Sequence, residues 1–368
     1  MKVFNVVGAR PNFMKIGPLH RAFEQNGAFE SIIVHTGQHY DERMSDVFFT
    51  QLQLPEPDIY LGVGSGSHAA QTARIMIAFE GALIEHRPDL VLVVGDVNST
   101  VACTLVAAKS GVPVAHVEAG LRSGDRTMPE EINRIVTDSI SDYLFVTEQS
   151  GLDHLRREGI ADEKVFMVGN VMIDSLVHFR ETAAASPILQ DLGLRRRHYA
   201  LMTMHRPSNV DDEQQLALVV ESIELLCAVL PVVMPMHPRT RSRLEAAGLM
   251  RRLDALSNLV LTEPLGYLEF LRLMDNASLV VTDSGGVQEE TTFLQIPCLT
   301  LRENTERPVT IELGTNELLP LDPRVLRRRV DAILTGDVKQ GRIPPLWDGN
   351  AATRIVDALE QVLRPVAT

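Results

Sequence analysis

An α/β protein of two doubly wound, Rossmann-like domains facing a cleft is the fold class this sequence predicts, and two observations predict it. Short β-branched runs recur along the chain, each followed by a turn signal and a longer amphipathic stretch. Such alternation implies parallel sheets with helices on both faces. The pattern also restarts after residue 195, and it holds more strands than one compact sheet accommodates. The first half offers strands at Val3–Val7, Ser31–Thr36, Leu90–Val94, Pro113–Val117, Tyr143–Val146 and Val165–Val168. The unbroken apolar run Leu90-Val91-Leu92-Val93-Val94 is what burial on both faces requires. Helical patterns at Gln71–Glu85 and Thr100–Lys109 lie between these runs. The second half offers strands at Ala200–Met204, Val232–Met236, Leu259–Leu261, Leu279–Val281 and Pro297–Leu301, with helices at Glu213–Leu230 and Tyr267–Met274. A helix and then a polar, Arg-rich stretch ending at Arg197 separate the halves, giving a first domain over 1–171 and a second over 172–351. A last amphipathic helix within 352–368 is expected to pack back on the first domain.

The length, 368 residues, fits two domains of roughly 100–200 residues each. With 35 basic against 48 acidic residues the net charge is −13, so no global field attracts nucleic acid or an anionic membrane surface. No apolar run approaches the ~20 residues of a membrane span. The three cysteines, Cys103, Cys227 and Cys298, are widely spaced. They exclude a disulfide scaffold and a Cys-x-x-Cys metal knuckle, and they fit a reducing compartment. The expectation is a cytoplasmic protein with neither nucleic-acid nor membrane partners.

Ligands of open parallel sheets bind beyond the carboxyl ends of the strands, so polar residues just after the strands are the candidates. The first strand ends in Gly8-Ala9-Arg10-Pro11-Asn12 with Lys15 a turn further on, cations suited to a phosphate. The run Thr282 to Glu290 brings the Ser284 hydroxyl and the Gly285-Gly286 pair to a helix start, where free N–H groups and the helix dipole attract an anion. Glu290, one to two turns into that helix, is a candidate for a ribose hydroxyl, and Arg307 after the next strand is a candidate pyrophosphate clamp. The plain alternative is a tight turn capped by Asp283 or Ser284. No Gly-x-Gly-x-x-Gly follows the first strand and no Gly-Lys-Ser/Thr loop occurs, which disfavours a nicotinamide cofactor and a P-loop ATPase.

Asp96 and Glu118 follow successive apolar strands, and Glu130-Glu131 open a helical run. Each acid has a structural alternative, Asp96 as a helix cap and all of them as ion-pair partners of Arg122, Arg126 or Arg134. His205 ends the first strand of the second half and is a candidate proton donor. No His-Glu-x-x-His or tight His/Asp cluster appears, so no metal is expected.

Taken together, Gly8-Ala9-Arg10-Pro11, Thr36-Gly37-Gln38-His39, Gly95-Asp96, His116 to Arg122, Pro129 to Arg134, His205-Arg206, Thr282 to Glu290 and Thr305 to Pro308 resemble the non-hydrolysing UDP-N-acetylglucosamine (UDP-GlcNAc) 2-epimerases. The match keeps the family's order over nearly the whole chain. The resemblance implies a glycosyltransferase-B-type fold, interconversion of UDP-GlcNAc with UDP-N-acetylmannosamine (UDP-ManNAc), no redox cofactor or metal, and a homodimer. It implies acid–base roles for Asp96, Glu118, Glu130 and His205. It implies substrate contacts at Arg10, Lys15, Arg134, Phe270, Ser284, Gly285, Gly286, Glu290 and Arg307, with Leu265 meeting the uracil end through its backbone. A modified UDP-sugar, such as a diacetamido uronic acid, and transfer of the sugar to an acceptor stay open as alternatives. Two departures concern the activating second site of the family's bacterial allosteric members. Tyr40-Asp41-Glu42-Arg43 separates Gln38-His39 from Met44, and Ser208 stands where those members carry Glu. They predict an enzyme that needs no UDP-sugar activator.

Overall fold

The computed structural model describes residues 1–38 and 55–363, apart from the side chains of Arg10 and Pro11. Seven parallel strands form the first sheet: β1 (Lys2–Val7), β2 (Glu30–His35), β3 (Ile59–Tyr60), β4 (Leu90–Val94), β5 (Val114–Ala119), β6 (Tyr143–Val146) and β7 (Val165–Met167). Their spatial order is β3-β2-β1-β4-β5-β6-β7. Six parallel strands form the second: β8 (Ala200–Thr203), β9 (Val232–Pro235), β10 (Leu259–Thr262), β11 (Leu279–Thr282), β12 (Cys298–Leu301) and β13 (Asn316–Leu319). Their order is β10-β9-β8-β11-β12-β13. Every residue of β4 is buried, as its unbroken apolar sequence requires. Two strands escape the sequence pattern, β3 and β13. Both are edge strands with one neighbour, so neither needs the apolar run that marks a central strand.

Each sheet reverses its strand order once, between β1 and β4 in the first and between β8 and β11 in the second. The loops leaving two such neighbours run to opposite faces and open a crevice at the carboxyl edge. Gly8 and Gly95 follow the first pair, and His205 and Asp283 the second.

The chain divides into two compact units, Met1–His178 with the segment from Pro345 onward, and Phe179–Pro344. The first change of unit falls inside the helix Val171–Ala184, whereas the sequence pattern puts it at 171/172. In the first unit the helix Ala351–Leu363 packs on the helix Arg10–Asn26, and Asn26 Nδ2 donates to Glu360 Oε2 at 2.8 Å. Asp174 accepts the Ala351 and Ala352 N–H groups at the start of that last helix. Trp347 is buried just before it, its Nε1 donating to the Thr147 carbonyl at 3.0 Å. No described helix is long and apolar enough to cross a membrane.

Candidate active site

The first unit gathers its acids at the β1/β4 reversal. Asn12 ties the two loops together, accepting from the Ala9 N–H at 2.9 Å and donating to the Val94 carbonyl at 3.0 Å. Asp96 follows Gly95, whose φ of +71° turns the chain out of β4. The helix that follows, Asn98–Lys109, has Val97 at its cap position and no side-chain cap, so the capping alternative for Asp96 fails. Asp96 instead pairs with Arg134, whose guanidinium is almost fully buried, and Asn133 Nδ2 donates to the Asp96 carbonyl at 2.9 Å.

Glu118 has the least ordinary backbone of the group. It is wholly buried in β5 with φ +74°, and the pairing of β5 with β6 shifts register between Val117 and Ala119. A bulge re-aims the side chain it carries, and left-handed backbone costs a non-glycine residue roughly 1–2 kcal/mol. The carboxylate meets the buried Lys15 ammonium. A Cβ built on Gly95 would lie 3.3 Å from Glu118 Oε2 and 3.4 Å from Lys15 Nζ, so the first unit's switch point brings Lys15, Gly95 and Glu118 together.

Two adjacent acids of the helix Pro129–Ile140 separate in role. Glu131 accepts from the Ser123 N–H and hydroxyl and the Gly124 N–H, so it shapes that loop. Glu130 is half-buried and has no hydrogen bond or ion pair among the described residues. Arg122 is taken by Asp138 and Glu158.

In the second unit the strand ends line up along one sheet edge. Asp283, fully buried after β11, accepts the His205 and Arg206 N–H groups at 2.9 and 2.8 Å and lies 3.0 Å from His205 Nδ1. Burial opposes its charge, but the His205 ring and the two backbone donors hold its pKa below the usual carboxylate value. With Nδ1 on Asp283, the His205 Nε2 is left for other work.

Ser284 occupies the cap position of the helix Gly285–Leu294 yet makes no cap hydrogen bond, and Asp283 is turned to the His205 loop. The first N–H groups of that helix thus lack a side-chain cap, which suits an anion. A Cβ on Gly285 would come within 2.8 Å of Arg307 Nη1, whereas one on Gly286 meets nothing within 4 Å. Arg307 is buried against Glu289 at 2.8 Å and Glu306 at 3.1 Å. Glu290 accepts from the Tyr267 hydroxyl at 2.9 Å. Burial raises its pKa to about 7, the Tyr267 hydrogen bond opposing and the Glu289 charge adding to the rise. Leu265 lies half-buried in the loop after β10, and Phe270 half-buried on the helix Tyr267–Asn276 that follows.

Arg10 opens the helix Arg10–Asn26, but its side chain lies outside the described residues, as do His39, Tyr40 and Met44. Gln38 is spent on the fold, its Oε1 accepting from the Ser99 N–H at 3.0 Å and hydroxyl at 2.7 Å. Sequence reasoning gave no role to Asn12, Asp138 or Tyr267, and treated Asp283 only as a cap. They bond to Val94, His116, Glu290 and the His205 N–H, 22 to 82 residues away, a separation no local pattern records.

The family model described as UDP-N-acetylglucosamine 2-epimerase matches residues 21–360. The UDP-N-acetylglucosamine 2-epimerase of Methanocaldococcus jannaschii is 41% identical over 370 residues, covering 98% of this chain and 99% of that one. A crystal structure of the M. jannaschii UDP-GlcNAc 2-epimerase in complex with UDP-GlcNAc and UDP superposes with a TM-score of 0.91 at 41% identity, covering 98% of this chain and 100% of that one. The UDP-2,3-diacetamido-2,3-dideoxy-D-glucuronate 2-epimerase of Pseudomonas aeruginosa is 43% identical over 323 residues, 87% of this chain and 88% of that one. The two doubly wound sheets are thus those of the glycosyltransferase-B-like fold its structural neighbours share, and this chain belongs to the UDP-N-acetylglucosamine 2-epimerase family.

Proposed function

We propose that this enzyme interconverts UDP-GlcNAc and UDP-ManNAc by eliminating UDP to a glycal and adding it back. The observation that carries the reading is the division of labour between the two reversal points: carboxylates with Lys15 and Arg134 at one, and an uncapped helix start with Arg307 and His205 at the other. Relatives named for the plain sugar match 98% of this chain against 87% for the uronate relative, which favours the plain sugar.

Carbon 2 of the sugar has no neighbouring carbonyl, so its proton is too weakly acidic to remove directly. Cleavage of the bond from carbon 1 to the diphosphate oxygen comes first, and the electron pair leaves with UDP. The oxocarbenium-like sugar then loses its carbon 2 proton to a base, giving 2-acetamidoglucal. Protonation of carbon 2 from the other face and return of UDP to carbon 1 complete the epimer. In this reading Arg10, Arg307, the Ser284 hydroxyl and the Gly285-Gly286 N–H groups carry the diphosphate, and His205 Nε2 donates to its leaving oxygen. Asp96, Glu118 and Glu130 supply the base, the acid and the negative charge beside the cationic ring. Lys15 and Arg134 aim Glu118 and Asp96, Glu290 holds the ribose, and Leu265 and Phe270 border the uracil. We take the working form to be a cytoplasmic homodimer.

In deuterated water, UDP-GlcNAc supplied without any acceptor should give UDP-ManNAc carrying deuterium at carbon 2, with the UDP linkage intact by NMR. Turnover that leaves carbon 2 protonated would sink the elimination–addition mechanism, and a sugar product released without its UDP would point to transfer or hydrolysis.

A further inference from the structure

A buried network joins the turns that carry Asp96 and Glu118. His116 lies on β5 with no exposed surface. Its Nε2 is 2.8 Å from the Gly95 carbonyl oxygen and its Nδ1 is 2.6 Å from Asp138 Oδ1. A carbonyl oxygen only accepts, so Nε2 carries a proton. Asp138, on the helix Pro129–Ile140, is also fully buried; it accepts the Gly120 N–H at 3.0 Å and pairs with Arg122 at 2.7 Å. Burial opposes its ionisation, but His116 and Arg122 together hold its pKa below the usual carboxylate value. Nδ1 faces Asp138 Oδ1, so each ring nitrogen has a partner and the ring is locked in one orientation.

The consequence is mechanical. Through His116, Asp138 fixes the Gly95 carbonyl, one residue before Asp96. Directly, it fixes the Gly120 N–H, two residues past the left-handed Glu118. Gly95 itself lies against the Glu118 carboxylate. One carboxylate therefore fastens both acid-bearing turns.

We propose that Asp138 and His116 are a positioning pair for the epimerisation, a buried histidine–carboxylate unit that holds the Asp96 and Glu118 turns in register. The proposal rests on the epimerase reading above. In wild-type enzyme labelled with 15N-histidine, the His116 ring signals, assigned by their loss in His116→Gln, should show a proton on Nε2 in slow exchange with solvent, as a buried bond to the Gly95 carbonyl requires. Asp138→Asn keeps the shape and the acceptor for Gly120 but removes the charge. It should shift the His116 ring signals and lower kcat roughly 10- to 100-fold, the scale of losing a supporting partner, while KM stays within about threefold. A bare Nε2 on His116 in the wild type, or near-normal kcat in Asp138→Asn, overturns the proposal. Should Asp138→Asn fail to fold, His116→Gln, which keeps a donor for the Gly95 carbonyl, decides by the same kcat criterion. Turnover of UDP-GlcNAc by the wild type in the same buffer tests the epimerase reading separately, since the wild-type spectrum stands whether or not the substrate is right.

Discussion

Glu118 and Glu130 show how differently two candidate acids of the first unit are held. Glu118 is wholly buried, in strained backbone, and bound to Lys15. Glu130 is half-buried, with no hydrogen bond or ion pair among the described residues. Asp96→Asn, Glu118→Gln and Glu130→Gln should each lower kcat by roughly 100-fold or more, the scale of acid–base groups. Their stabilities should diverge. Glu118→Gln leaves a buried ammonium without its counter-charge, a defect worth about 3–5 kcal/mol. Glu130→Gln breaks nothing and should unfold in urea as the wild type does. Kinetics and urea melts on the same preparations check both halves, and a Glu130 variant of normal kcat would remove that residue from the chemistry.

At the scale of an element, the helix Gly285–Leu294 illustrates why two adjacent glycines are not equivalent. Gly285 is a close-approach position: an added methyl would collide with the Arg307 guanidinium held by Glu289 and Glu306. Gly286 faces open space, so an added methyl clashes with nothing in the protein. Gly285→Ala should therefore displace Arg307 and raise both KM for the UDP-sugar and the inhibition constant of UDP by about tenfold, a loss near 1.4 kcal/mol. Gly286→Ala should leave stability unchanged and weaken UDP only where phosphate oxygens press on its backbone. Unaltered UDP inhibition in both variants would remove the diphosphate from this helix start.

The two units respond to acid in opposite senses. In the first, burial lowers the pKa of His20, His35 and His178, and that of His35 reaches about 4 between the stacked rings of Phe13 and Tyr60. The unfolded chain takes up protons below about pH 6.5 that the folded unit refuses, so the first unit loses stability as pH falls from there toward 4. In the second, Glu290 titrates near 7 when folded. There the folded unit holds a proton that the unfolded chain has lost, so stability rises as pH falls from about 7 to 4.5, on the order of 2 kcal/mol. Trp347 is the single tryptophan and belongs to the first unit, so its fluorescence isolates that unit. Between pH 7 and pH 5 the urea midpoint seen by Trp347 should fall, while a second transition by circular dichroism should rise. Glu290→Gln should abolish the rise and leave the fall, and midpoints moving together would show that the units unfold as one.

Sequence alone determined the class of fold and supplied the candidates for the chemistry. Alternating strand and helix patterns dictate parallel sheets, because fully apolar strands such as β4 are stable only when covered on both faces. Reading just past each strand then reached Asp96, Glu118, His205 and Ser284 without coordinates. Tertiary structure decided what each of these does, because their states depend on partners distant in the chain. Lys15 is bound to Glu118, Asp96 to Arg134 rather than to a helix start, and Asp283 to the His205 loop rather than to its own helix. The short edge strands β3 and β13 and the bulge at Glu118 were equally invisible, since each is fixed by a neighbour's hydrogen bonds and not by local preference. Hydrophobic periodicity is written residue by residue, whereas charge compensation in a buried site is a property of which loops the sheet brings side by side.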